Sequence, residues 1–260
     1  MGSVANATEP LQPRPELTGG FKLEAQRLFR RPLAWLVLCV GSALMALFYL
    51  LLMVRYLDHD ASLRANGVTA ELLVRYFGSA ALIVLLLTPL ISMQAIANDK
   101  RDGMLRFLFS TPASSSHIVL AKLAAILSLV ALLWVAIGLM PLTLLWGASI
   151  DIGVYGTNLL GLALFMTLHT CLGVMCSALT RQPVAAAVLA LVVSLTLWLA
   201  EFAQRLDRDA SLLGSISTLA RMRGFALGVL NLADIVYFAG LALMFAVVAV
   251  WAVEGSRRYA

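Results

Sequence analysis

Long apolar runs separated by short polar segments organise this chain. Six runs, at 33–54, 76–97, 117–146, 157–179, 183–203 and 232–253, reach the length of about 20 residues that a helix needs to cross a bilayer core. Pro89 and Pro141 fall inside runs, where a membrane helix tolerates them if neighbouring groups re-satisfy the freed carbonyls. Two stretches outside the runs show amphipathic helical spacing. In 21–31, Phe21, Ala25, Leu28 and Phe29 form an apolar stripe, and Lys22, Glu24, Gln26, Arg27 and Arg30 cover the rest. This predicts a helix lying on the membrane surface, ended by Pro32, with Lys22, Arg27, Arg30 and Arg31 against anionic headgroups. In 205–231, Leu212, Leu213, Ile216, Leu219 and Ala220 oppose Ser211, Ser215, Ser217, Thr218 and Arg221. This predicts a short helix at or dipping into the interface, with Gly224 and Gly228 permitting a turn before the last run. Residues 1–20 are polar, carry Pro10, Pro13 and Pro15, and read as a disordered tail without the apolar core of a signal peptide. The expected plan is a tail (1–20), a surface helix (21–31) and a six-helix transmembrane domain (32–258), so the fold class is all-α membrane protein.

Composition excludes the main alternatives. With 61% hydrophobic and 13% charged residues the chain has too little polar surface for a soluble enzyme and too much apolar content for disorder. The mean hydropathy of +0.91 agrees. A net charge of +5 carries no nucleic-acid signature, because no basic stripe is interleaved with aromatic residues. The basic residues instead flank the runs. Placing both termini in the cytoplasm puts 12 of the 19 Lys and Arg residues inside, as the positive-inside rule favours. The exception is 205–231, where Arg205, Arg208, Arg221 and Arg223 fall outside and form a candidate outer gate or contact for an anionic lipid or polysaccharide. Cys39, Cys171 and Cys176 lie in apolar runs and read as small core residues with no disulfide framework.

Catalytic patterns are missing. The three lysines, Lys22, Lys100 and Lys122, follow Phe21, Asp99 and Ala121, so there is no phosphate-binding Gly-Lys-Ser/Thr turn. His59, His117 and His169 stand far apart and outside any HExxH pattern, so no metal site is expected, and His169 reads as a buried, hydrogen-bonded histidine. No G-x-S-x-G elbow is present. Glu201, Asp234 and Glu254 lie near run ends, where they can reach an interface, and mid-run carboxylates that could carry protons are scarce. The chain is therefore expected not to be an enzyme, and its energy source is expected to lie in another chain.

The most informative segment is 98–112, NDKRDGMLRFLFSTP, between the second and third runs. Asp102 can cap a helix starting near Gly103, Pro112 can end it, and Ser114, Ser115 or Ser116 can cap the next. Such a helix, over about 102–111, exposes Met104, Leu105, Phe107, Leu108 and Phe109 among charges. It is too apolar for a free loop and too short to span, and suits a groove on a partner protein.

Four blocks carry a resemblance to the six-helix permease subunits of bacterial ABC transporters in the type-2 superfamily, gliding-motility-type permeases among them. They are FKLEAQRLFRRPLAW from Phe21, TPLISMQAIANDKRDGMLRFLFSTPASSSHIVLAK from Thr88, GVMCSALTRQPVAAAVLALVVSLTLW from Gly173, and Ser215 to Arg258 containing ARMRGFALGVLNLADIVYF. The family more often has Glu near Asn98 or Asp99, and Thr and Glu where Met104 and Arg106 stand, so this segment is less acidic than usual. The resemblance implies a permease of the bacterial inner membrane, exporting in the family's common mode and pairing as a homodimer. It implies a separate cytoplasmic ATP-binding subunit that holds ATP and Mg, leaving no cofactor in this chain. Docking would use a cytoplasmic coupling helix containing Asp99, Arg101, Asp102, Gly103, Met104, Leu105, Arg106, Phe107 and Leu108. The 205–231 segment resembles the family's extracellular re-entrant hairpin. The alternative is a mechanotransmission or scaffold subunit driven by the same ATPase without moving substrate, which the short outside segments disfavour. A membrane enzyme ranks third.

Overall fold

The computed structural model describes residues 17–58, 72–104, 114–146, 151–206 and 216–258. Among them are nine α-helices and no strand: α1 (Leu17–Phe29), α2 (Pro32–Asp58), α3 (Val74–Ser92), α4 (Ala97–Arg101), α5 (Ser115–Leu142), α6 (Ile152–Leu179), α7 (Pro183–Leu206), α8 (Thr218–Ala226) and α9 (Leu232–Arg258). Six candidate spans result, formed by α2, α3 continued through α4, α5, α6, α7 and α9. Each full-length span, at about 1.5 Å per residue, exceeds a hydrocarbon core of about 30 Å.

Local chemistry sets the ends. Pro32 opens α2 at a position where its missing N–H is no loss. Ser114 caps α5 by accepting from His117 N at 3.3 Å. Asp151 accepts from Gly153 N at 2.8 Å and Val154 N at 3.3 Å, so α6 starts five residues before the expected 157. Such caps stabilise a helix by about 1 kcal/mol each. At the other end of the fold, α1 starts at Leu17 and stops at Phe29, earlier at both ends than the expected 21–31.

Burial separates a hub from a rim. In the apolar windows of α3 and α6, 67% of residues are buried, against 22%, 17% and 22% for α2, α7 and α9. The rim helices turn rows of apolar side chains outward, such as Leu36, Val40, Leu47 and Leu51 on α2, and Leu243, Val247 and Trp251 on α9. Cys39 shares the exposed face of α2, whereas Cys171 and Cys176 are buried on α6, so the expectation of three core cysteines holds for two. An outward apolar row is stable because lipid tails are as apolar as the core. The same fact removes the hydrophobic drive between helices, leaving close packing and hydrogen bonds to hold the hub. Gly173 of α6 supplies the closest packing: a Cβ there would fall on the side chain of Ser92 in α3. His169, buried on α6, places Nδ1 2.9 Å from Phe165 O, as a buried hydrogen-bonded histidine requires.

The bundle has two polar ends. The end carrying α1, α4 and the start of α5 is called proximal below, and the end carrying α8 distal.

Candidate functional site: a proximal joint and a distal hairpin

The proximal joint begins at a break. The second apolar run reads as one helix to 97, but α3 ends at Ser92 and α4 begins at Ala97. Ser177 of α6 explains the break. Its hydroxyl accepts from Ile96 N and Ala97 N, both at 3.0 Å, and donates to Met93 O at 2.9 Å. In an unbroken helix Ala97 N would bond Met93 O directly. The Ser177 hydroxyl sits between that donor and that acceptor, and an inserted side chain is a recognised cause of a sharp helix bend. Lys100 Nζ donates to Ala178 O, which ties α4 to the last turn of α6 a second time.

Buried charge fastens the other side of the joint. Lys122 of α5, 5% exposed, places its ammonium 2.6 Å from Asp99 Oδ2 on α4 and 3.2 Å from Glu24 Oε1 on α1. Glu24 also lies 3.6 Å from Arg27. Two carboxylates on one ammonium neutralise a cation that could not otherwise enter an apolar helix. Glu24 therefore faces inward, whereas the amphipathic pattern places it on the solvated side of α1. A lone lysine inside the apolar run LAKLAA was the sequence signal for this cluster. A half-open pocket of about 50 Å³, room for a few waters, borders the joint and is lined by Arg27, Arg31, Gln94, Asp99 and Lys122. Arg31 donates to Gln94 Oε1 at 3.1 Å across it. Lys22, Arg27, Arg30 and Arg31 are exposed along and just beyond α1.

From this joint α4 leads to the segment singled out by sequence. Asp102 closes α4 at its C-terminus, its N–H bonding Asn98 O at 2.8 Å, and Gly103 follows at φ +73. Asp102 is thus the residue that ends α4, where the expectation made it the first cap of the next helix. Arg101, Asp102 and Gly103 are exposed, and Met104, helical again, is half-buried. Leu105, Arg106, Phe107 and Leu108 lie outside the described residues, as does most of the expected helix over 102–111.

The distal hairpin is built on α8. Ser217 caps it, accepting from Ala220 N at 3.3 Å. Its other end closes with Val229 N bonding Gly224 O at 2.9 Å and Gly228 N bonding Phe225 O at 3.1 Å, around Gly228 at φ +80. This is a Schellman closure, which needs a left-handed residue and so selects glycine. Two side chains of α6 add donors to the closing carbonyls. Thr157 Oγ1 donates to Phe225 O at 2.9 Å, and Asn158 Nδ2 donates to Phe225 O at 3.3 Å and Ala226 O at 3.5 Å. Phe225, 1% exposed, seats its ring and Cβ where a Cβ on Gly161 of α6 would stand. Thr157 and Asn158 thus tie the closing turn of α8 to α6.

Among the four candidate outer arginines, Arg221 bonds Asp234 of α9 at 2.7 Å and stacks 4.6 Å from the centre of the Tyr237 ring. Tyr237 in turn donates to Ile216 O. Asp234 is buried in this pair, where a residue reaching for the interface was expected. Arg223 is exposed, Arg205 lies in the last turn of α7, and Arg208 falls outside the described residues. Ser217 and Thr218 are buried and Ile216 is exposed, reversing the expected faces because capping draws the serine inward.

Gly228→Ala is expected to destabilise the hairpin by about 1–2 kcal/mol, since its Cβ meets both the left-handed backbone penalty and Val154 Cγ2 at 3.0 Å. Hydrogen exchange of residues 216–231 reads the effect as faster exchange, and unchanged exchange argues against the closure described above.

Comparison with known proteins agrees with this architecture. A model of the ABC-2 family transporter proteins matches residues 21–202, well over half of the chain, and covers most of α1 and the proximal joint. The hairpin and α9 follow the matched region. No curated protein matches the chain significantly. Six apolar helices, a bolted proximal joint and this match make the protein a multi-pass membrane permease subunit of an ABC transporter. The chain belongs to the ABC-2 transporter family.

Proposed function

We propose that this chain is the permease of an ATP-driven exporter in a bacterial inner membrane, working as a homodimer with both termini cytoplasmic. A separate ATP-binding subunit docks from the cytoplasm on the proximal end. The observation that carries the reading is the way α4 is held: Ser177 and Lys100 fix it to α6, and Asp99 fixes it through Lys122 to α5 and α1. A segment that receives a stroke must be stiffly joined to the spans it moves. Arg101, Asp102, Gly103 and Met104, continuing into Leu105, Arg106, Phe107 and Leu108, form the docking face, with Asp99 bracing it from behind. Lys22, Arg27, Arg30 and Arg31 rest on anionic headgroups beside it. ATP and Mg are held by the partner, and its closure switches the paired permeases between two states. Arg205, Arg208 and Arg223 are the candidates to bind an anionic moiety of the cargo at the outer side, and Arg221 holds the hairpin to α9 through Asp234.

The test is co-expression with the ATP-binding subunit from the same genetic neighbourhood. The expected outcome is a complex that hydrolyses ATP, while the permease purified alone does not. Phe107→Asp combined with Leu108→Asp is expected to reduce recovery of the partner at least about tenfold, the loss of roughly 1.4 kcal/mol or more at a docking contact. Hydrolysis by the lone chain, or full recovery with both aspartates, overturns the reading.

A further inference from the structure

We infer that α6 is the transmission rod of this permease, carrying movement of the proximal joint to the distal hairpin, with Ser177 and Asn158 as its two positioning residues. The inference rests on the proposed docking at α4 and adds the route taken from there.

Three observations on α6 carry it. At its proximal end the Ser177 hydroxyl is inserted in the backbone break between Met93 and Ala97, so α4 cannot shift without moving or breaking that three-bond junction. At its distal end Thr157 and Asn158 hold the closing carbonyls of α8, and Gly161 receives Phe225. Between them α6 runs as one helix over Ile152–Leu179 without an internal proline, whereas α3 contains Pro89 and α5 contains Pro141. The twenty residues from Asn158 to Ser177 set the two junctions about 30 Å apart on one rigid element. Gly173 lets α6 close on α3, with the Ser92 side chain filling the space a Cβ would take, which removes the remaining slack at that crossing. Both junctions are hydrogen-bonded in surroundings that exclude water. The Ser177 junction therefore moves as a unit or breaks, and at the other end Thr157 and Asn158, which also reach Val154 O of their own helix at 2.9 and 2.7 Å, hold the hairpin carbonyls against the α6 backbone. Coupling between distant sites needs an element that both bias, and α6 is fastened to both. Helix α7 also touches α4 and α8, and is the competing route.

The experiment uses the full chain in complex with its ATP-binding subunit, purified through a tag on that subunit so that only docked permease is measured. Hydrogen exchange over residues 216–231 is compared with and without ATP trapped by vanadate. In the wild type, trapping speeds exchange there by about fivefold, the lower range of ordinary coupling between sites. In Ser177→Ala and in Asn158→Ala the response is lost, and the double variant is no worse than either single one. Exchange in α3 remains native in each, which separates uncoupling from unfolding. Asn158→Gln, which keeps the amide, restores part of the response. A response that persists in both alanine variants overturns the inference in favour of α7, and a wild type without any response overturns it outright. Failure to recover wild-type permease on the tagged subunit removes the docking reading and the inference with it, a result distinct from recovery without transmission.

Discussion

Lys122→Met lowers the stability of the solubilised chain by about 3 kcal/mol, read from detergent-titrated unfolding, because it leaves Glu24 and Asp99 without their shared cation. The size follows from burial. The side chains of Lys122, Glu24 and Asp99 are 6%, 19% and 14% exposed, so water replaces the lost partner poorly. An exposed pair such as Arg101 with Asp102, about 60% exposed on each side, contributes little by comparison. The loss is mostly the penalty on the carboxylates left behind, Asp99 above all because Glu24 keeps Arg27 at 3.6 Å, so neutralising them recovers it. Glu24→Gln and Asp99→Asn added to Lys122→Met are expected to return most of the 3 kcal/mol by the order of magnitude for such clusters. A small loss in the single variant, or no recovery in the triple variant, rules out the ion cluster as the fastening between α1, α4 and α5.

Gly173→Val has the second large effect, about 3 kcal/mol or more, since the added atoms enter space already held by Ser92. The clash lies between the two most buried helices, at the last residue of α3 and near the end of α6. Gly173→Ala is milder, and Ser92→Ala relieves it by removing the hydroxyl nearest the new Cβ. Gly240→Ala on α9 is the control. Nothing lies within 4 Å of its added carbon, so it is neutral or stabilising by up to about 1 kcal/mol, the helix-propensity gain. Equal responses at Gly173 and Gly240 would show that α3 and α6 do not cross as closely as described.

Much of this protein was legible before any coordinates. The six spans follow from apolar run length alone, because a bilayer core imposes one length on every crossing helix. A serine cap among Ser114, Ser115 and Ser116, His169 as a buried hydrogen-bonded residue and a helix before Pro32 follow from local rules that need only neighbours in sequence. The break at 93–96 was not legible. Nothing in LISMQAIAND announces it, since the group that opens the helix there, the Ser177 hydroxyl, lies 80 residues away from Ala97 in the chain. Glu24 was misplaced for the same reason: a helical wheel ranks a carboxylate as solvated, and only Lys122 across the joint draws it inward. Ser217 was misplaced because the wheel cannot see that its hydroxyl is spent on a helix start.

Sequence by itself determined the number of the spans and the helical approach to the first of them, because a crossing helix needs a minimum apolar length set by the solvent, a slab of fixed thickness. Tertiary structure alone decided that α3 and α6 form the hub, that Lys122 joins three helices and that α8 is held by Thr157 and Asn158. In lipid, apolar side chains do not distinguish a neighbouring helix from the bilayer, so which faces meet is chosen by a few small residues and polar partners. Those partners lie far apart in sequence, and only the fold brings them into contact.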